Sequence, residues 1–188
     1  MLNVIRKSFN QPLAKIQDNP LLYTIWGVFL LFLCSQITIP LEPVPITLQS
    51  FGVMLVAITF PRKIAIQSII SYLAIGGIGI PVFANFSGGY PVFLGPTAGY
   101  LVGFLAAVLA MTYISTKQHN PRSFWSVSIN CLLGTGIIFL FGIVGLLAFM
   151  NLNHAIAVGL VPFILPGIIK VALLATSLKY LRNEPSPQ

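Results

Sequence analysis

Charge is what this chain has least of. Of 188 residues, 7% are charged and 56% are hydrophobic, where soluble domains carry about 25% charged residues. So few charges cannot cover a chain of this size for water, which makes it an all-α integral membrane protein that crosses the bilayer several times. Asp and Glu number three, and none lies inside an apolar stretch. That excludes an intramembrane acidic catalytic site and ion coupling through an acidic relay. The two cysteines, Cys34 and Cys131, stand far apart in or beside apolar runs and form no CxxC pair or disulfide framework. The two histidines, His119 and His154, fall in expected loops, and no His/Cys/carboxylate group has metal-ligand spacing. No GxxxxGK[ST] segment is present, so the chain does not itself hydrolyse ATP. With no nucleophile and base in reach of a span, the sequence reads as a non-enzyme that takes no metal or cofactor. The net charge of +7 comes from basic residues scattered in ones and twos, which is not a nucleic-acid patch.

What is present is six apolar stretches, at about 21–39, 47–61, 64–80, 96–116, 124–149 and 160–181. Backbone must satisfy itself in lipid and no strand-like alternation appears, so the spans are helices. The second stretch is short and the fifth long, which implies tilt or partial embedding. The first is longer than the core of a signal peptide and reads as a retained span. The expected organisation is a cytoplasmic segment 1–20, a six-helix membrane domain 21–182 and a cytoplasmic tail 183–188.

Basic residues set the orientation. Arg6, Lys7 and Lys15 precede the first span, Arg62 and Lys63 follow the second, Lys117 and Arg122 the fourth, and Lys179 and Arg182 close the last. The alternate segments 40–46, 81–95 and 150–159 hold no Lys or Arg. The positive-inside rule then puts both termini in the cytoplasm and these three segments outside.

Two outer segments are unusual. Pro40, Pro43 and Pro45 stiffen the first. Gly76–Pro96 holds six Gly and three Pro in 21 residues and is too apolar for a solvated loop. Such backbone is tolerated at membrane depth where it is buried in protein or lines a cavity. In the fourth span Gly95, Gly99, Gly103 and Ala107 recur every four residues and predict close helix packing.

One basic residue breaks the charge pattern: Lys170, inside the last apolar stretch. A charge there costs about 2.5 kcal/mol or more. A proline favours the first helical position, so the last helix is expected to start near Pro166 and run to about Arg182, roughly 25 Å. Lys170 then lies in its first or second turn, where the helix dipole disfavours a cation. An anionic ligand answers both problems, whereas a lysine snorkelling to an interface is the plain alternative. Uncharged polar residues gather on the same side: Thr38, Thr47, Gln49, Asn85, Ser87, Tyr90, Thr97 and Tyr100. Aromatic residues Phe51, Phe83, Phe86, Phe93 and Phe163 are interspersed. This inventory suits a ligand with one carboxylate, a few amide-like groups and an apolar body. Asn85, in the middle of the Gly-rich loop, stands out among the polar candidates.

Three segments carry a resemblance. Gln36-Ile-Thr-Ile-Pro-Leu-Glu-Pro-Val-Pro-Ile-Thr-Leu-Gln-Ser-Phe51, continuing Gly52-Val-Met-Leu-Val56, resembles the first outer loop and second helix of the BioY family. Gly79-Ile-Pro-Val-Phe-Ala-Asn85 with Gly88-Gly89 and Gly95-Pro-Thr-Ala-Gly-Tyr100 is similar to its Gly-rich loop and fourth helix. Pro162-Phe163 with Lys170 resembles the start of its last helix. The resemblance implies the six-helix S-component fold of energy-coupling factor (ECF) transporters, in the cell's inner (plasma) membrane, binding biotin from outside. It implies that the first outer loop caps the site, that Lys170 meets the biotin carboxylate and that Asn85 belongs to the pocket. Thr47, Gln49, Phe83, Tyr90 and Phe163 complete the candidate site. The implied partners are an ECF transmembrane subunit and an ATPase pair, with solitary or oligomeric action as the alternative. Two departures stand out. Gly167 occupies the place of an acid the family usually carries three residues before the lysine. Residues 21–39 hold no Ala, so the Ala-xxx-Ala docking face of S components is missing: either docking uses Gly27 and a different surface, or the protein works without the usual module. Two other readings stay open: an S component for another carboxylated vitamin, and a non-transporting membrane scaffold of the same fold.

Overall fold

Proline marks where the first helix begins. In the computed structural model, which describes residues 19–118, 121 and 123–183, helix α1 spans Pro20–Gln36 with Pro20 at its first position, where a missing N–H costs nothing. The chain then forms a two-stranded antiparallel hairpin, β1 (Thr38–Ile39) and β2 (Ile46–Thr47), with Thr38 opposite Thr47. Helices α2 (Gln49–Thr59) and α3 (Arg62–Gly77) follow. Two 3-10 turns, Ala84–Phe86 and Tyr90–Leu94, occupy the Gly-rich loop. Helices α4 (Ala98–Lys117), α5 (Phe124–Leu146), α6 (Leu152–Gly159) and α7 (Val161–Asn183) complete the chain. Arg6, Lys7, Lys15, His119 and Arg122 lie outside the described residues.

The fold is a six-helix membrane bundle of α1–α5 and α7, as the composition requires. By length and composition, α4, α5 and the combined α6–α7 segment up to Tyr180 are long and apolar enough to cross a membrane. Helix α2 has 11 residues, about 16 Å at 1.5 Å per residue, shorter by itself than the roughly 30 Å hydrocarbon core of a bilayer. Large apolar side chains such as Leu22, Trp26, Leu140, Leu165 and Leu173 face outward, the arrangement expected where lipid is the solvent.

The last helices differ from expectation. Helix α7 starts at Val161, not near Pro166, and Pro166 sits inside it. The first turn is supplied by Pro162 instead. An internal proline removes one backbone bond, which membrane helices tolerate when neighbours compensate. The segment 150–159, expected as a loop, is mostly helix α6, capped by the Asn151 side chain accepting from the His154 N–H at 3.0 Å. His154 is therefore helical.

Small residues set the helix spacing. A Cβ on Gly99 would collide with the Phe141 carbonyl and crowd Gly145, and one on Gly103 would meet Ile138 and Phe141 at 3.1 Å. So α4 and α5 pack backbone to backbone, the most extensive helix pair in the fold. Gly27 plays the same part for α1: the space a Cβ would need is filled by Ser68 of α3 and the Phe60 ring. It is buried and offers no docking face. Cys34 and Cys131 are free and buried.

The two ends of the bundle are unlike. At one end Arg62 and Lys117 each lie 5.7 Å from the Tyr113 ring, and Lys179 is 5.9 Å from that of Phe124. The hairpin and the Gly-rich loop meet away from these cations, joined by a bond of 2.9 Å from the Thr38 hydroxyl to Asn85 Oδ1.

Candidate functional site

A cavity of about 270 Å³ opens beneath the hairpin and the Gly-rich loop. Six elements build it. The hairpin and α2 supply Val44, Pro45, Thr47, Gln49 and Ser50, and the loop supplies Phe83, Ala84, Asn85, Ser87 and Val92. Helix α4 adds Tyr100, Leu101 and Phe104, α5 adds Ile138 and Phe139, and α7 adds Phe163 and Lys170. The walls are largely apolar with few polar groups, as in small-molecule sites.

Lys170 is the tenth residue of α7 and is 9% exposed. Its distance from the helix start takes it beyond the first turn, where the dipole acts, so desolvation rather than the dipole is what its charge must overcome. Its Nζ donates to the Thr47 carbonyl at 2.6 Å and to Ser50 Oγ at 2.9 Å. Both acceptors are neutral. An ammonium has three protons, so one remains for a further acceptor. Among the described residues the one carboxylate belongs to Glu42, and no ion pair forms with it. The cation is solvated by protein dipoles on two sides and borders the cavity on another.

The Gly-rich loop owes its shape to a buried polar cluster. Ser35 Oγ lies 2.7 Å from the Val82 carbonyl, and the Tyr72 hydroxyl donates to the same oxygen at 2.9 Å. Gln36 Nε2 donates to the Phe83 carbonyl at 3.1 Å, and Gln36 Oε1 accepts from the Phe86 N–H at 3.0 Å. Between these anchors Asn85 and Phe86 adopt positive φ, 57° and 54°. Asn tolerates that region better than most residues. Gly76 makes room for Phe83, whose ring occupies the place of a Cβ there. Phe83 then meets Tyr72 and Phe93 edge-on at 5.3 and 5.7 Å. On the opposite wall Phe163 packs against Tyr100 and Phe139 at 6.3 and 6.1 Å.

Of the sequence candidates, Lys170, Asn85, Thr47, Gln49, Phe83 and Phe163 all border the cavity, as do Ser87, Thr97 and Tyr100. Tyr90 does not: it is 70% exposed on the outer surface of the loop. Thr38 acts one step back, through Asn85, and Phe93 through Phe83. Sequence reasoning missed Ser50, which holds Lys170, and the anchors Ser35 and Tyr72. A polar residue inside an apolar span was the available signal for all three.

Gly167, one turn before Lys170, faces Thr135 and Phe139 of α5. A Cβ there would find its nearest neighbour at 3.7 Å, ordinary contact distance, so the site has room for a side chain it does not carry.

A multi-pass helical bundle enclosing a mostly apolar cavity with one buried cation defines a membrane-embedded ligand-binding protein. Comparison with known proteins narrows the class. The family model described as "BioY family" matches residues 8–185. The "Biotin transporter BioY" of Thermotoga maritima is 38% identical over 164 residues, covering 84% of this chain and 95% of that one. The "Probable biotin transporter BioY" of Rickettsia prowazekii is 35% identical over 159 residues, covering 85% and 81%. The crystal structure of "the S-component for biotin from an ECF-type ABC transporter" superposes with a TM-score of 0.79 at 25% identity, covering 92% of this chain and 95% of that one. The chain belongs to the BioY family. It has the S-component fold, and the family is one of membrane transporters and not of enzymes.

Proposed function

We propose that this chain binds biotin from the outer side of the cell's inner (plasma) membrane and serves as the substrate-binding component of biotin uptake. The observation that carries the reading is Lys170: a buried ammonium at the cavity wall with two neutral partners and one proton left over. The biotin carboxylate is the anion that completes it, with a charge-assisted hydrogen bond. Asn85, Thr47 and Gln49 supply polar contacts, and Phe83 and Phe163 face the apolar ring system and tail. Tyr90 has no part in the contact set.

The basic end of the bundle faces the cytoplasm in this reading, together with residues 1–20 and the tail 183–188, and the cavity end faces out. Membership of the BioY family and the S-component fold support uptake through an ECF transmembrane subunit and an ATPase pair, with solitary or oligomeric action as the alternative. A docking surface for that subunit on α1 uses neither Ala nor Gly27, so it differs from an Ala-xxx-Ala face. The enclosed cavity favours a binding protein over a membrane scaffold.

The test is direct. Protein purified in detergent, stripped of any co-purified ligand, is titrated with biotin and with a panel of other carboxylated vitamins. One biotin per chain, in preference to the panel, is expected. Indifference to biotin, or tighter binding of a panel member, overturns the reading. Co-purification with an ATPase from the native membrane tests the partner assignment.

A further inference from the structure

The polarity of one cavity-lining amide is fixed by the protein behind it. Gln49 is 5% exposed and lines the cavity. Its side chain contacts the Tyr72 hydroxyl at 2.7 Å. That hydroxyl lies 2.9 Å from the Val82 carbonyl oxygen. A carbonyl has no proton, so the one between these two oxygens is Tyr72's own. The Tyr72 oxygen is then left to accept, and the atom of Gln49 that meets it must be the NH₂ group. Gln49 Oε1 occupies the other branch of the amide and accepts no hydrogen bond from the described residues. The oxygen is not one of the fully buried unpaired atoms among the described residues, so it stays open to a donor arriving in the cavity.

We infer that Gln49 presents Oε1 to the ligand as an acceptor and reads a ligand N–H, with Tyr72 and Val82 setting that polarity. The inference rests on biotin as the ligand. In biotin at neutral pH the only N–H groups are the two of the cyclic urea, so Gln49 reads the urea. Asn85 carries the complementary sign: its Oδ1 is taken by the Thr38 hydroxyl at 2.9 Å, which leaves its NH₂ as a donor for a carbonyl oxygen. The cavity thus offers an acceptor, a donor and a cation, matching an N–H, a C=O and a carboxylate.

The test uses biotin and its two mono-N-methyl urea derivatives, titrated against wild type, Gln49→Ala and Gln49→Glu. In wild type at least one N-methyl derivative should bind about tenfold or more weakly, the loss of a hydrogen bond with a buried partner left unpaired. In Gln49→Ala that penalty should shrink to within about twofold, because no acceptor remains to lose a donor. Gln49→Glu sets an acceptor oxygen against the Tyr72 oxygen in place of the NH₂ group, so it should weaken biotin and both derivatives together. Were Gln49 purely structural, Gln49→Ala would lower all affinities together and leave the ratio untouched. Should Gln49→Ala fail to fold, Gln49→Met carries the same expectation. A ratio unchanged by removing the amide, or no penalty in wild type, overturns the inference. Failure of wild type to bind biotin sinks the functional reading instead, so the two failures are distinct.

Discussion

Replacing Lys170 by Met keeps the length and apolar stem of the side chain and removes the charge. The ammonium is 9% exposed and holds the Thr47 carbonyl and Ser50 Oγ. Removing one partner of a buried charge pair costs about 3–5 kcal/mol, because the other charge stays buried alone. Here the stranded charge is the ligand carboxylate, so biotin affinity should fall between about a hundredfold and a few thousandfold. Protein stability should change little, since the substitution also removes the cost of burying an unpaired cation. Calorimetric or radioligand titration of detergent-purified protein reads the affinity, and thermal melting reads the stability. Biotin methyl ester closes the argument. Wild type should discriminate strongly against the ester, and Lys170→Met should bind acid and ester alike. Binding of biotin by Lys170→Met within threefold of wild type would refute the reasoning. So would equal binding of ester and acid by wild type.

Asn85→Gly keeps the left-handed backbone but removes one amide donor, about 1 kcal/mol, and the exposed Thr38 bond, so biotin affinity should fall roughly fivefold with only a small drop in melting temperature. Asn85→Ala should lose the same affinity and also melt lower, because a Cβ at φ 57° is strained; equal melting of the two variants would contradict the role of the turn. Tyr90→Ala should bind biotin within about twofold of wild type, since an exposed side chain off the cavity has little to contribute. Gly103→Leu should melt markedly lower, because its Cβ alone already presses on Ile138 and Phe141 at 3.1 Å and overpacking costs about 1–3 kcal/mol. Gly167→Asp should fit at its Cβ and place a carboxylate one turn from Lys170, which should narrow the preference for biotin over its methyl ester in the same titration.

The helices were legible because burial in lipid demands long apolar segments and leaves few alternatives. The start of α7 was not. Pro162 and Pro166 are four residues apart, and either can open a helix. The chain breaks at Leu160 (φ −123°, ψ −54°), a position with no distinguishing side chain. Lys170 was legible as a lone charge in an apolar run. Its partners were not, because Ser50 lies 120 positions away and reaches it through the packing of α2 beside α7. The same holds for the clamp on the Gly-rich loop. Ser35, Gln36 and Tyr72 read as ordinary polar residues in helices, and the carbonyls they hold on Val82 and Phe83 have no side-chain signature. Tyr90 failed for a related reason: glycines on one side of it and a proline on the other let the loop turn its ring outward, and residue type alone does not reveal a direction.

The absent acid beside Lys170 has a physical consequence. A carboxylate at position 167 stands one helical turn from the ammonium, and where it pairs with the ammonium a ligand has to compete with, or share, an existing ion pair. With Gly167, the resting site holds the ammonium through the Thr47 carbonyl and Ser50 Oγ alone. Neutral acceptors offset desolvation less than a charge does. The gain on carboxylate arrival is correspondingly larger. Thr47 belongs to the hairpin that roofs the cavity. The same ammonium that awaits the ligand therefore also holds the C-terminal strand of that roof, and Ser50 at the head of α2. A ligand that recruits the third proton and keeps the other two bonds makes bound ligand, roof and α7 one hydrogen-bonded unit. In this protein the lysine works both as the site of anion recognition and as the tie between the cavity's floor and its cover.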